Sequence, residues 1–319
     1  MKKGGQMSHK VMIVGTGHVG ASIAFAILNQ QTAVNELILT DIIAKDAEGE
    51  AMDLSDAIAV APSYIKIRNG TYKDAKDCDV VIITAGAAQH GKETRRDLLK
   101  KNANIIKGMV DQIMGSGFNG IFIVVTNPVD VISYLVWKFS GLPCEKVIGT
   151  GTVLDSARLC ERIASYISIN PKSIHAYQVG EHGDSEFALW SSANIGGQLV
   201  SSLLPASTMN GIEGFVRGKA YEIINRKGST EYGIGVCAVR ILNCILNDER
   251  RVLSVSSYHD FEDIYYGFPA VVGLEGVVRQ IDVELSEDEG IKLAKSVNEI
   301  KGMIDSLGLD KKLDRVKRK

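Results

Sequence analysis

The sequence has no excess of charge of either sign, no close pair of cysteines and no long hydrophobic run. Lysine and arginine number 36 against 38 aspartate and glutamate, a formal charge of -2. That balance removes the broad basic footprint of a nucleic-acid binder, and no nucleic-acid partner is expected. The five cysteines, Cys78, Cys144, Cys160, Cys237 and Cys244, are odd in number and widely spaced, without a CxxC motif. They suit a reducing compartment and plain apolar packing, and no metal is expected. Basic residues near the start have no long apolar stretch behind them, and the chain never reaches the roughly 18 uncharged apolar residues that spanning a bilayer requires. No membrane partner and a cytoplasmic location are therefore expected. What is present is 319 residues with 45% apolar content, enough for sizeable buried cores. Small-molecule chemistry becomes the leading class.

The first half alternates short β-branched runs with helical stretches. VMIV at 11–14, ELILT at 36–40, DVVIIT at 79–84 and GIFIVVT at 120–126 are nearly continuous apolar segments, as expected of parallel strands covered on both faces. Residues 46–60 and 92–114 carry apolar positions at helical spacing and supply the crossovers. The expected fold class is α/β, a doubly wound parallel sheet followed by a second, α+β catalytic domain. Texture changes after Gly149: a helical stretch over 153–168 gives way to HAYQVGEHGDSEFALW and to segments richer in Gly, Ser and Asn. The expected division is 1–149 and 150–319. For the last helix, Ser286 and Glu289 have the spacing of a capping box, and Ile291, Ala294, Val297, Ile300 and Ile304 are expected to form its apolar stripe.

Directly after the first strand comes Gly15-Thr16-Gly17-His18-Val19-Gly20, followed by the helix-compatible ASIAFAILNQ. In this pattern Gly15 permits a tight turn, Gly17 admits a pyrophosphate close to the backbone, and Gly20 allows close strand–helix packing. A bare GxGxxG is weak, but here it stands between strand and helix, and a second strand ends at Asp41, twenty-one residues past Gly20. A carboxylate there accepts hydrogen bonds from ribose hydroxyls and repels a 2'-phosphate, so NAD is expected over NADP.

GEHGDSE places His182 in a glycine-flanked loop, and an imidazole suits proton exchange with a hydroxyl near neutral pH. In LDSARL, Asp155 and Arg158 lie three apart on an expected helix and share a face. Asp155 can hold the second imidazole nitrogen, and Arg158 can clamp a carboxylate with its planar fork. An ordinary surface ion pair at the same spacing explains these two residues equally well, and spacing alone leaves both readings open.

Motifs running in order along the chain resemble those of the L-lactate and malate dehydrogenase family: GTGHVG at 15–20, TAGAAQHGKETRRDLLKKN at 84–102, TNPVD at 126–130, GTVLDSAR at 151–158, GEHGDS at 180–185 and KGSTEYGIG at 227–235. The resemblance implies a Rossmann domain and an NAD-dependent oxidoreductase. It also implies His182 as acid/base, Asp155 as its partner, Arg158 as carboxylate anchor and Arg95 as a mobile-loop cation that polarises the substrate carbonyl. Asn127 is implied to orient substrate and cofactor, next to a cis Asn127–Pro128 bond. By the same resemblance Thr230 is implied to border the 2-substituent, and Gly15, Gly17, Val19, Gly20, Asp41 and Ile234 are implied to meet the cofactor. A homotetramer built from dimers is expected.

Gln89 stands six residues before Arg95, where malate enzymes carry an arginine for the second carboxylate. A neutral amide leaves that carboxylate unpaired, which favours pyruvate and L-lactate as the substrate pair. Malate dehydrogenase and a broader 2-hydroxyacid dehydrogenase are the alternatives within the family, and a non-catalytic NAD-responsive protein is the alternative outside it. His175 resembles the family's effector histidine for fructose 1,6-bisphosphate, but Cys160 stands where its arginine partner is expected. A thiol cannot donate a phosphate fork, so activation is expected to be weak or absent, with Arg162, one turn away, as a residue that could compensate.

Overall fold

The structure is a computed structural model that describes residues 8–87 and 95–308, without the side chains of 95–97. Its first half alternates strands β1 (His9–Val14), β2 (Val34–Thr40), β3 (Lys66–Asn69), β4 (Val80–Ile83), β5 (Ile121–Val124) and β6 (Val147–Gly149) with helices α1 (His18–Asn29), α2 (Ala44–Ala57), α3 (Arg95–Gly115) and α4 (Val129–Ser140). The six strands are parallel in the order β3-β2-β1-β4-β5-β6. The chain winds outward from β1 to one edge, then returns and winds to the other.

The near-continuous apolar runs follow from this layering. Val11, Ile13, Val80, Ile82, Ile121 and Ile123 enter one core with Ile23 and Ile27 of α1 and Leu54 of α2. Their neighbours Met12, Val14, Val81, Ile83, Phe122 and Val124 enter the other with Ile106 and Val110 of α3 and Ile132 and Leu135 of α4. Alternate residues of one strand therefore face two helical layers, and no position is left for a polar residue. The run patterns do not mark β3, whose Lys66–Asn69 sequence is polar because it is an edge strand.

The second half contains α5 (Val153–Ile167), five two-residue strands β7 (Ile174–His175), β8 (Gln178–Val179), β9 (Phe187–Ala188), β10 (Asn194–Ile195) and β11 (Gln198–Leu199), then α6 (Ala206–Lys227) and α7 (Tyr232–Leu246), with β12 (Arg251–His259), β13 (Ile264–Gly273), β14 (Gly276–Gln280) and α8 (Glu287–Ser306) completing it. Antiparallel β12, β13 and β14 extend the large sheet from β6, joined where Ser256 faces Gly149. Helix α7 closes the first core with Ile241 and Leu242, while Leu159 of α5 and Ile212 of α6 build a third.

The cap of α8 forms as expected: the Ser286 hydroxyl accepts from Glu289 N–H, and Glu289 Oε2 accepts from Ser286 N–H at 2.9 Å. Its expected apolar stripe is only partly right. Val297 and Ile300 are buried, but Ile291 is 65% exposed and Ala294 is exposed. Leu293 and Ser296 turn inward instead, because the Ser296 hydroxyl accepts the Glu181 backbone N–H at 2.6 Å. A polar anchor thus occupies part of the face that periodicity assigns to apolar residues. Among the described residues, no helix is long and apolar enough to cross a membrane.

Candidate active site

The carboxyl ends of β1, β2, β4 and β5 converge on one edge of the sheet, where loops rather than helices cover the backbone. Gly15 leaves β1 at φ +99°, and a Cβ there would lie 2.6 Å from the Ala85 nitrogen. A Cβ on Gly20 would fall 1.9 Å from the Gly15 carbonyl oxygen, whereas one on Gly17 would meet nothing within 4 Å. The loop is thus packed from behind and open in front. Helix α1 begins at this opening with Gly17 as its cap, no side-chain cap and no acidic residue in its first turn, so its N–H groups are available to an anion.

Asp41, immediately after β2, accepts the Thr16 N–H at 2.7 Å through Oδ2 and the Ile43 N–H at 3.0 Å through Oδ1. The carboxylate expected to meet a ribose therefore also ties the glycine loop to β2. An open glycine, an uncapped helix start and a carboxylate at the next strand end fit a dinucleotide. Val19 is half-buried against the adjoining core. Ile234 of α7 packs on the same core, and the Ser22 hydroxyl donates to the Glu231 carbonyl at 3.1 Å, joining α1 to the start of α7.

The reaction end centres on Asp155, in the first turn of α5 and 2% exposed. Its Oδ2 lies 2.7 Å from His182 Nδ1, and its Oδ1 accepts Arg158 Nη1 at 2.8 Å. The i,i+3 pair is therefore not isolated, since Asp155 joins Arg158 to an imidazole 27 residues away in sequence. Burial alone raises the Asp155 carboxyl, but His182 and then Arg158 outweigh it and hold the group below the usual range. For His182, burial opposes charging; the Asp155 charge and hydrogen bond, followed by Glu186 and Asp130, overcome it and raise the imidazole to about 9. Its ring is 27% exposed.

His182 faces a cavity of about 720 Å³ with Asn127, Pro128, Glu181, Tyr221 and Met303 among its lining residues. Asn127 follows β5 and carries the expected cis bond to Pro128. Thr230 is half-buried in the turn between α6 and α7; the following helix approaches α5, where a Cβ on Gly233 would lie 2.9 Å from Leu154 Cδ1. Gln89 lies outside the described residues. Arg95 begins α3, with its side chain outside them as well.

Two buried carboxyls here are absent from the sequence reading. Glu186 is 3% exposed and receives Gln178 Nε2 at 3.3 Å. With Asp155 and His182 it forms a group whose ligand-type atoms lie within 4.8 Å of one another. Burial, then the Asp155 charge, pushes its carboxyl well up. Asp130, 2% exposed, accepts the His182 backbone N–H at 2.8 Å. It is the last residue of TNPVD, so the motif pointed at it without indicating its partner. Glu186 gave no such signal, because an acidic residue between Ser185 and Phe187 reads as a surface group.

The five cysteines are free. Burial raises Cys78 and Cys237 to about 12 and Cys144 and Cys244 to about 11, far from the thiolate that reactivity requires.

Comparison with known proteins agrees with this geometry along nearly the whole chain. Residues 9–149 match the lactate/malate dehydrogenase NAD binding domain, and residues 152–308 match the lactate/malate dehydrogenase alpha/beta C-terminal domain. The L-lactate dehydrogenases 1 of Bacillus cereus (strain ATCC 10987 / NRS 248) and Bacillus anthracis are each 48% identical over 311 residues, covering 94% of this chain and 98% of theirs. MGS-M5, a lactate dehydrogenase from a Medee basin deep-sea metagenome library, superposes with a TM-score of 0.93 at 46% identity, covering 95% of this chain and 99% of that one. The ligand-bound minor L-lactate dehydrogenase of Enterococcus mundtii superposes with a TM-score of 0.93 at 43% identity and the same two coverages. With the glycine loop, the carboxylate after β2 and the Asp155–His182 pair in one continuous match, the chain belongs to the lactate/malate dehydrogenase family and is an NAD-dependent dehydrogenase.

Proposed function

We propose that this protein is an L-lactate dehydrogenase that interconverts pyruvate and L-lactate. The observation that carries the reading is Asp155 bridging His182 and Arg158, which sets a proton carrier that lines the cavity beside a carboxylate anchor. When bound, NADH supplies the hydride to the substrate's C2, and NAD accepts it in the reverse direction.

Around that transfer, Gly15, Gly17, Val19 and Gly20 cradle the dinucleotide, Asp41 takes the ribose hydroxyls and Ile234 backs the nicotinamide. Arg158 holds the substrate carboxylate; one guanidinium nitrogen is committed to Asp155, and the fork has further donors for the ligand. Protonated His182 gives its proton to the carbonyl oxygen as that oxygen becomes an alkoxide. Asp155 stabilises the imidazolium and keeps Nε2 toward the substrate. In the oxidation direction neutral His182 takes the hydroxyl proton. Arg95 adds positive charge at the same oxygen, Asn127 orients the substrate, Thr230 borders its methyl group, and Gln89 leaves no cation for a second carboxylate.

The proposal includes a cofactor domain over 1–149, a catalytic domain over 150–319, assembly as a homotetramer of dimers and a place in cytoplasmic glycolysis. Fructose 1,6-bisphosphate activation is weak or absent. Initial NADH oxidation rates with pyruvate, oxaloacetate and branched 2-keto acids test the substrate. Preference for pyruvate supports the reading, and preference for oxaloacetate moves the protein to the malate branch. Light scattering after size exclusion tests the assembly.

A further inference from the structure

We propose that Asp130 is a positioning residue that clamps the His182 main chain to the helical turn following Asn127, so that the imidazole is held at two points. The proposal rests on the acid/base role given to His182 above. Asp130 lies in the first turn of α4, three residues after Asn127. Its Oδ2 accepts the His182 backbone N–H at 2.8 Å, and its Oδ1 accepts the Ser256 hydroxyl of β12 at 2.6 Å. The two donors come from segments 52 and 126 residues distant in sequence. One side chain therefore joins the turn that presents Asn127, the segment that presents His182, and the sheet.

A carboxylate is a costly choice at a site that is 2% exposed, since burying a charge without full hydrogen bonding is unfavourable. Geometry explains its presence. Two donors converge on one short side chain from different directions, and only a carboxylate offers two acceptor oxygens there. An asparagine would keep an acceptor for the His182 N–H and could meet Ser256 only by turning its N–H₂ to the hydroxyl oxygen, so the charge and one of the two acceptors are lost. The second anchor is needed because the Nδ1 bond to Asp155 alone leaves the ring able to swing with its backbone. Fixing the His182 nitrogen as well sets the direction of Nε2, and misplacement by about 1 Å can cost on the order of a hundredfold in rate.

The groups facing Asp130 are Ser256 from β12, the His182 main chain and ring, and Glu181 beside it. Burial raises the Asp130 carboxyl to about 6, while the Ser256 and His182 hydrogen bonds and the His182 charge oppose the rise, and Glu181 adds to it. The group is thus charged at neutral pH and also favours the protonated imidazole. In this role it touches neither substrate nor cofactor.

The test uses the full-length protein with NADH and whichever 2-keto acid it reduces best, so the result does not depend on substrate identity. Asp130→Asn should lower kcat/KM at least about tenfold, mainly through kcat, while NADH affinity stays within about twofold. The alkaline limb of the pH profile should move to lower pH, because a negative charge near His182 is gone. Asp130→Ala should be worse than Asp130→Asn, which keeps one acceptor. Ser256→Ala should move the acidic limb upward, because the Asp130 carboxylate loses a donor and protonates more readily. Asp130→Asn with parental kcat/KM and pH limbs, or Ser256→Ala with an unmoved acidic limb if the Asp130 variants do not fold, would overturn the proposal. A His182→Asn protein with undiminished turnover would overturn the reading beneath it as well. Parental turnover in Asp130→Asn alongside an inactive His182→Asn would remove the clamp alone.

Discussion

Asp155 Oδ2 lies 2.7 Å from His182 Nδ1 in a pocket where the carboxylate is almost wholly buried. The pair sets a pH dependence whose sign differs between the two directions of reaction. Reduction needs the protonated ring, and His182 is raised to about 9. For the 2-keto acid, kcat/KM should have no limb from His182 at neutral pH and should fall as pH rises through about 9, while that for the 2-hydroxy acid should rise over the same interval. Asp155→Asn should move the alkaline limb of reduction down toward neutrality and lower kcat by about a hundredfold or more. Stopped-flow rates from pH 6 to 10 measure both. An unmoved limb in Asp155→Asn would remove Asp155 as the source of the shift.

The same linkage acts on stability. A histidine whose folded value exceeds its unfolded one contributes stability that is fully present below the unfolded value and is lost as pH rises through the folded value. His182 is raised from 6.5 to about 9, so its contribution should decline across that interval. Parental and His182→Asn proteins should therefore differ more in urea midpoint at pH 6 than at pH 10. A constant difference would count against the shift.

Glu186 makes its own test. Its carboxyl, buried beside the Asp155–His182 pair, is among the groups that raise His182. Glu186→Gln should shift the alkaline limb of reduction downward by less than Asp155→Asn does. A larger shift than that of Asp155→Asn would reverse the assigned order of influence.

Gln89 is the residue proposed to decide substrate choice. Gln89→Arg should place a cation by the distal end of the substrate, giving oxaloacetate a charge-assisted partner and leaving that arginine unpaired with pyruvate. The ratio of the two kcat/KM values should shift by about a hundredfold, equivalent to about 2.7 kcal/mol. An unchanged ratio in a folded, NADH-binding variant would mean that Gln89 does not border the substrate.

For the effector, Cys160 Sγ donates to the Ile174 and Ala176 carbonyls at 3.6 Å rather than offering a cationic fork. The Arg162 guanidinium lies over Phe215 at 4.4 Å and over Tyr166 at 5.1 Å. A residue held between two rings loses that packing if it turns to a phosphate. Millimolar bisphosphate should therefore change the pyruvate KM by less than about twofold, whereas Cys160→Arg should introduce a response. A large fall in KM for the parental protein would show that another cation serves the site.

Periodicity and motif spacing alone determined the doubly wound sheet, because a strand covered on both faces must be apolar at every position and therefore stands out in one dimension. The glycine loop was equally legible: Gly15 and Gly20 are required by local backbone geometry, and Asp41 stands at a strand end that the same pattern locates. The polar edge strand β3 and the short β6 lacked such a signal, and the stripe of α8 held at Val297, Ile300 and Ile304 but failed at Ile291 and Ala294, where Ser296 serves a loop more than a hundred residues away. Spacing placed Asp155 and Arg158 on one helical face but left an ordinary surface pair equally acceptable. Only the tertiary structure brought His182 to Asp155, buried the pair, and thereby raised the imidazole. The same is true of Glu186, whose acidic side chain looks unremarkable in the chain, and of Asp130, which the TNPVD motif contains without indicating its partner. Their surroundings are assembled from remote segments, and a carboxyl's chemistry is set by the burial, charges and donors around it, none of which is encoded by its immediate neighbours in sequence.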